Sequence, residues 1–179
     1  MASTDSSTHK ISIGLLGFGT VGSSVYNLIK DQGLEISQAT GASIEIKKIL
    51  VRDITVPRQD APPEIFTDNF EDILKDPDIS IVIELIGGLE PAFDYITSSL
   101  ENGKAVVTAN KQLLSQRGFY LFELARKKNT QIKFEASVAG AIPVIKVLRE
   151  SMVAADLTSV YGIVNGTTNY ILSEMSRTG

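Results

Sequence analysis

The sequence predicts an α/β fold built on a doubly wound parallel sheet, and three observations carry that prediction. Short β-branched runs alternate with longer helical stretches between residues 11 and 136, the pattern of parallel strands joined by helical crossovers. The run at 79–86 is almost continuously apolar, as a strand covered on both faces must be. The first run passes directly into Gly17-Phe18-Gly19-Thr20-Val21-Gly22, a glycine-rich turn of the kind that ends a strand and opens a helix.

Each element follows from local chemistry. Residues 11–16 form the first strand, and 21–30 a helix with Val21, Val25, Leu28 and Ile29 on one face. Gly33 is placed to end that helix in the left-handed conformation. Residues 44–51 have high β propensity, and 53–63 form a Pro-rich polar loop. Asp68 is the expected cap of a short helix over 69–74. After the strand at 79–86, a helix spans 91–102, with Pro91 in its first turn and Gly103 just past its end. A strand at 105–108, a helix at 118–128 and a strand at 132–136 complete the alternation. Pro143 then opens a helix at 144–152, residues 157–164 read as a strand, and Asn165 caps a helix at 167–175. From the pattern alone, this last segment either extends the layer or starts another domain.

Composition bounds the function. The chain has 179 residues, one domain with a remainder at about 150 residues per domain. It has no Cys, which excludes disulfides, a thiolate zinc site and a cysteine nucleophile. The net charge is −4 and the 17 Lys and Arg are scattered, so neither nucleic acid nor an anionic membrane is the expected partner. The most apolar stretch, residues 79–88, is far short of the about 20 residues that span a bilayer. The first ten residues hold no apolar run of signal-peptide length. A soluble, cytoplasmic protein is expected. His9, the only histidine, lies in the polar N-terminal stretch, which argues against histidine-based catalysis or metal binding.

The glycine-rich turn is the strongest chemical signal, a Rossmann-type fingerprint in its proper context. Gly17 permits the tight turn, Gly19 lets a pyrophosphate approach the backbone, and Gly22 lets the helix pack on the strand. The free N–H groups at the helix start then bind phosphate. The second strand ends in Val51-Arg52-Asp53. An acid there binds the ribose 2′-OH of NAD, whereas an Arg accommodates the 2′-phosphate of NADP. Arg52 stands first, which tilts the choice to NADP and leaves NAD possible. Ile86-Gly87-Gly88 ends the third strand and reads equally as a ligand-approach site or a plain turn. Glu84, inside the apolar run, either points into the cleft or is a buried acid held by backbone N–H groups. Thr108-Ala109-Asn110-Lys111 follows the fourth strand. A lysine there holds a carbonyl oxygen or transfers a proton, or is simply a solvated loop lysine.

The blocks GLLGFGTVG, VRD, VIELIGG, VVTANKQLL, FEASVAGAIPVIKVLRES and GIVNGTTNYILSEM resemble those of homoserine dehydrogenase in order and spacing. The resemblance implies reversible NAD(P)-dependent conversion of L-aspartate 4-semialdehyde to L-homoserine, on the route to threonine and methionine. Residues 1–9 read as a loose polar tail, and the resemblance implies a dinucleotide domain over 10–142 and, over 143–179, the beginning of an α+β substrate and dimerisation domain. Cofactor contacts fall on Gly17, Phe18, Gly19, Thr20, Val21, Gly22, Arg52, Ile86, Gly87, Gly88, Thr108, Lys111, Asn165 and Gly166. Lys111 matches the family's catalytic lysine between nicotinamide and substrate. Glu135, Val138, Gly140 and Ile142 match a monovalent-cation site normally holding sodium. The partners implied are the small substrate and a second copy of the subunit.

Members of that family continue into a domain that completes the substrate pocket with acidic residues and a second essential lysine. The expectation is therefore the cofactor-binding part of the enzyme, with little or no turnover of its own. The alternatives are a stand-alone NAD(P)-binding module, or a packing segment with a vestigial pocket.

Overall fold

The computed structural model describes residues 9–140, 142–163 and 165–178. Apart from His9, the expected N-terminal tail lies outside the described residues. The chain divides after Lys133 into two compact units.

The first unit is a six-stranded parallel sheet with helices on both faces. In chain order it runs β1 His9–Leu16, α1 Thr20–Asp31, α2 Gly33–Thr40, β2 Ala42–Leu50, β3 Phe66–Thr67, α3 Glu71–Leu74 and β4 Ile79–Glu84. It continues through α4 Ala92–Glu101, β5 Ala105–Thr108, α5 Lys111–Lys127 and β6 Ile132–Lys133. The strand order is β3-β2-β1-β4-β5-β6, and every pairing is parallel. The chain thus starts at the centre, winds to one edge, and returns across β1 to wind to the other. That reversal opens a crevice at the carboxyl ends of β1 and β4, where open α/β sheets bind their ligands.

The period of two along β1 splits the core into two layers. Ile13 and Leu15 enter a cluster with Ile46, Ile49, Val51 and Phe66, against which Tyr26 and Ile29 of α1 pack. Leu16 enters the opposite cluster with Val82 of β4 and with Ile73, Ile96, Leu100, Leu113 and Leu121, from α3, α4 and α5. At the amino edge, Lys104 is only 6% exposed. Its Nζ donates to the carbonyls of Asp76 at 2.7 Å and Ile79 at 2.6 Å. Burial holds this ammonium below the ordinary lysine value.

Several boundaries move, each for a physical reason. β1 begins at His9, so this histidine lies on the sheet. Gly33 does not end a helix in the left-handed region but opens α2, and Gly41, with φ 73, takes that conformation. α5 begins at Lys111 rather than at residue 118, because the Asn110 side chain caps it by accepting from the Leu113 N–H at 3.0 Å. Gly118 lies inside that helix, where an added Cβ would sit 3.4 Å from Phe122. Asp68 is not the cap of α3; Asn69 Oδ1 accepts from the Glu71 N–H at 3.2 Å. β4 stops at Glu84, since after Leu85 the amides of Ile86 and Gly87 turn back to the Glu84 side chain. β6 covers only Ile132–Lys133 and gives way to a tight 3-10 turn at Glu135–Ser137.

In the second unit, α6 Val144–Lys146 continues into a wider π turn, Val147–Ser151. α7 spans Gly166–Thr178, and Asn165 Oδ1 accepts from the Thr168 N–H at 2.9 Å as its cap. The expected strand at 157–164 is not formed over 157–163, which is exposed and has no ladder partner among the described residues. A strand has little stability without one. Residue 164 lies outside the described residues.

Gly14 tests the close packing of β1. A Cβ there would run into Ile73 Cγ2 and lie 3.4 Å from Ile79 Cγ2, with Ile73 fully buried. Gly14→Ala is expected to cost about 1–3 kcal/mol by overpacking, read as a lower urea midpoint at unchanged slope.

Candidate functional site

Four strands end at one level. Leu16 of β1 pairs with Leu50 of β2 on one side and with Glu84 of β4 on the other, and Glu84 pairs with Thr108 of β5. The residues that follow these ends are the predicted ligand residues, so the sheet register brings them to one edge.

After β1, Gly17 adopts φ 97 and its N–H donates to the Leu50 carbonyl at 2.9 Å. A Cβ on Gly17 would lie 3.1 Å from the Leu85 carbonyl oxygen, and one on Gly22 would collide with the Gly17 carbonyl oxygen. Both glycines are demanded by the protein's own packing. Gly19 differs, because a Cβ there would meet nothing within 4 Å. The space over Gly19 is open, which is what close approach of a phosphate requires. α1 starts with Gly19 as a cap that has no side chain, and no acid lies in its first turn. Its first N–H groups are therefore neither capped by a side chain nor opposed by an acid, the arrangement that suits an anion. Thr20 and Val21 are exposed on this turn. The Phe18 ring instead packs edge-on against Phe66 at 5.1 Å and Tyr26 at 5.9 Å, so toward the edge Phe18 offers its backbone.

After β2, Arg52 is exposed. Asp53 Oδ1 accepts from the Thr55 hydroxyl at 2.6 Å and from its N–H at 2.8 Å. The Thr55 hydroxyl, then its amide, hold the Asp53 carboxyl below the ordinary value. Arg58, unremarked in the sequence, organises this loop. Its Nη1 donates to the carbonyls of Asp53 at 3.0 Å and Val56 at 2.8 Å. Its guanidinium lies 5.3 Å from the Phe66 ring centre.

The β4 and β5 ends share one polar network. Glu84 is 0% exposed, which settles its reading as a buried acid. Its Oε1 accepts from the N–H groups of Ile86 at 2.8 Å and Gly87 at 2.9 Å, and its Oε2 from the Thr108 hydroxyl at 2.6 Å. Asn110 donates its N–H to Thr108 Oγ1 at 3.0 Å and its Nδ2 to the Gly88 carbonyl at 2.7 Å. Gly87 and Gly88 have φ 76 and 73, and open space surrounds both. Lys111 is the first residue of α5 and is exposed at this edge. Nothing local in the sequence pairs Glu84 with Thr108, since the contact joins neighbouring strands across a helix.

The remaining candidates lie in the second unit. The Glu135 carboxylate accepts from the N–H groups of Ile145 at 3.0 Å and Lys146 at 2.9 Å, and its carbonyl from that of Val138 at 3.2 Å. Gly140 follows at φ 59, and the Ile142 carbonyl accepts from the Val144 N–H at 2.8 Å. Asn165 caps α7 and Gly166 is its first residue. Among the described residues, no group of three or more His, Cys, Asp or Glu is placed to hold a metal, and no helix is long and apolar enough to cross a membrane.

The two steric classes of glycine separate by stability. Gly22→Ala drives a Cβ into backbone and is expected to cost about 1–3 kcal/mol. Gly19→Ala, with free space around it, is expected to cost about 1 kcal/mol or less as a change of cap. Equal melting temperatures for the two variants would contradict this assignment.

Comparison with known proteins agrees with this geometry. The family model described as the homoserine dehydrogenase NAD binding domain matches residues 17–135, and a second homoserine dehydrogenase model matches 143–179. Homoserine dehydrogenase of Bacillus subtilis is 44% identical over 166 residues, 92% of this chain and 38% of the relative. That of Corynebacterium glutamicum is 43% identical over 169 residues, 94% of this chain and 38% of the relative. A crystal structure of homoserine dehydrogenase from Thiobacillus denitrificans superposes with a TM-score of 0.86 at 43% identity, covering 94% of this chain and 39% of that one. The chain thus spans under two fifths of the length of these relatives. With a nucleotide-binding sheet, a fingerprint turn in place and both family models matched in order, this chain belongs to the homoserine dehydrogenase family.

Proposed function

We propose that this chain is the cofactor-binding part of an enzyme that interconverts L-aspartate 4-semialdehyde and L-homoserine with NADP, or with NAD, as hydride carrier. The observation that carries the reading is the shared edge. There an open glycine at a helix start, an exposed Arg52 and an exposed Lys111 follow strand ends at one level. When bound, the dinucleotide supplies or accepts the hydride. The first N–H groups of α1 hold its pyrophosphate over Gly17, Gly19 and Gly22, with Thr20 and Val21 beside it. Arg52 holds the 2′-phosphate, a charge-assisted contact that NAD does not offer. Ile86, Gly87, Gly88 and Thr108 border the nicotinamide side, with Asn165 and Gly166 as further contacts. Lys111 stabilises negative charge on the substrate oxygen and donates a proton to it.

A monovalent cation, sodium, is proposed near Glu135, held through oxygen donors as hard cations are. The Glu135 carboxylate accepts from two N–H groups and the carbonyls of Glu135 and Ile142 from one each, so the proposed donors, the carboxylate or carbonyl of Glu135 and the carbonyls of Val138, Gly140 and Ile142, act through remaining lone pairs. The residues 143–179 are proposed to begin the substrate and dimerisation domain, following the dinucleotide domain at 10–142. The enzyme is proposed to be a cytoplasmic homodimer of threonine and methionine biosynthesis, acting on small molecules and not on nucleic acid or membrane. Of the residues singled out, Lys111 alone addresses the substrate. This chain by itself is therefore expected to bind the dinucleotide with little turnover.

Calorimetric titration tests the reading directly. The chain is expected to bind NADPH more tightly than NADH, and Arg52→Ala to reduce that preference by about tenfold, or about 1.4 kcal/mol. An unchanged preference would remove Arg52 from phosphate recognition, and binding of neither dinucleotide would overturn the proposal. In the full-length enzyme, Lys111→Ala is expected to lower kcat by about 100-fold or more. Activity near wild type in a stopped assay of homoserine oxidation would exclude Lys111 from the chemistry.

A further inference from the structure

The Glu84 network does more than close a strand end. A β4 position flanked by Ile81, Val82 and Ile83 would pack well with another aliphatic side chain, and burying a carboxylate there is costly unless its hydrogen bonds are complete. Both carboxylate oxygens are hydrogen-bonded, and the bonds run one way. The Asn110 N–H donates to Thr108 Oγ1, which leaves the Thr108 hydroxyl hydrogen for Glu84 Oε2. The other oxygen collects the amides of Ile86 and Gly87. Asn110 in turn fixes the Gly88 carbonyl with its Nδ2 and caps α5 with its Oδ1. The left-handed Gly87-Gly88 loop and the first turn of α5, which begins with Lys111, are thus held by one network. Its terminal acceptor is Glu84.

We propose that Glu84 is a positioning residue for the nicotinamide half of the cofactor, setting the Ile86–Gly88 backbone and the start of α5 at the carboxyl edge. The inference rests on the dinucleotide reading above. In a sheet of this order the cofactor lies across the switch point, with its pyrophosphate on α1. The adenosine half then lies toward β2 and Arg52, and the nicotinamide half toward β4 and β5. The hydrogen bonds of the Glu84 network all lie in the second of these regions, and only the Ile86 amide also borders the Gly17 turn. Glu84→Gln keeps the size but replaces one acceptor oxygen with an NH2 donor. With the NH2 toward Thr108, the hydroxyl must give up donating and accept a second bond instead; with the NH2 toward the loop, two amides face a donor.

The test compares two ligands on the chain as it stands, NADPH and 2′-phospho-ADP-ribose, which keeps the adenosine half and lacks nicotinamide. Wild type is expected to bind both. Glu84→Gln is expected to weaken NADPH by about tenfold while leaving 2′-phospho-ADP-ribose within about twofold. Thr108→Val removes the hydroxyl but leaves the two loop amides on Glu84, and is expected to show the same split at smaller size. Parallel loss of both ligands in Glu84→Gln would reduce the residue to a structural part of the sheet and overturn the proposal, as would NADPH binding unchanged in both variants. Wild type that binds neither ligand would overturn the dinucleotide reading and this inference with it.

Discussion

The start of α1 lies so close to the end of β1 that no side chain fits between Gly22 and the carbonyl of Gly17. This contact fixes where the helix begins and where its unpaired amides point. β1 is the central strand, paired to β2 and β4 along most of its length. A shift at its end would therefore move the level at which the neighbouring strands stop. The Gly17 N–H on the Leu50 carbonyl and the Leu85 N–H on the Leu16 carbonyl, both 2.9 Å, tie that level to both neighbours. The ligand edge is a consequence of packing at one glycine pair, carried sideways by parallel hydrogen bonding.

Two buried charges mark the two ends of the sheet, and each is met by neutral groups. At the amino edge the Lys104 ammonium is held by two backbone carbonyls. At the carboxyl edge the Glu84 carboxylate is held by two backbone amides and a hydroxyl. Each charge is met by backbone groups at a strand end, which offsets part of its desolvation. The difference lies in what surrounds them. Around Lys104 the neighbours are further ion pairs, Lys47 bridging Asp76 at 2.8 Å and Asp78 at 2.7 Å. Around Glu84 they are glycines with open space beside them.

Local pattern made the sheet legible in the sequence, and distance along the chain hid most of the site's supports. Strands at 11–16, 44–51, 79–86 and 105–108 were readable because β-branched runs between turn signals have few other uses. β3 was not, since two residues carry no period. Gly33 and Gly118 misled for a shared reason: a glycine reads as a boundary, yet one opens a helix and the other lies against Phe122 inside one. The fingerprint glycines were legible together with their separate tasks. Glu84 was visible as an anomaly, but its partner Thr108 lies across a crossover, and no window along the chain joins them. Arg58 was invisible because its partners are backbone carbonyls and a ring, which any sequence supplies.

The proposed cofactor choice at the β2 end rests on how the loop commits its charged groups. An aspartate that receives the ribose hydroxyls must present free oxygens to them, and a 2′-phosphate beside it would be repelled. Here Asp53 commits Oδ1 to its own turn through Thr55, and Arg58 fastens the carbonyl of the same residue. The loop therefore folds the acid into its local structure and leaves Arg52 exposed beside it. Only Oδ2 then remains to meet a ribose, one oxygen where an uncommitted carboxylate offers two. Receiving a phosphate at Arg52 breaks none that the loop depends on. That asymmetry supports the proposed preference for the phosphorylated dinucleotide, and it comes from the loop's own folding rather than from the order of the letters Arg52 and Asp53.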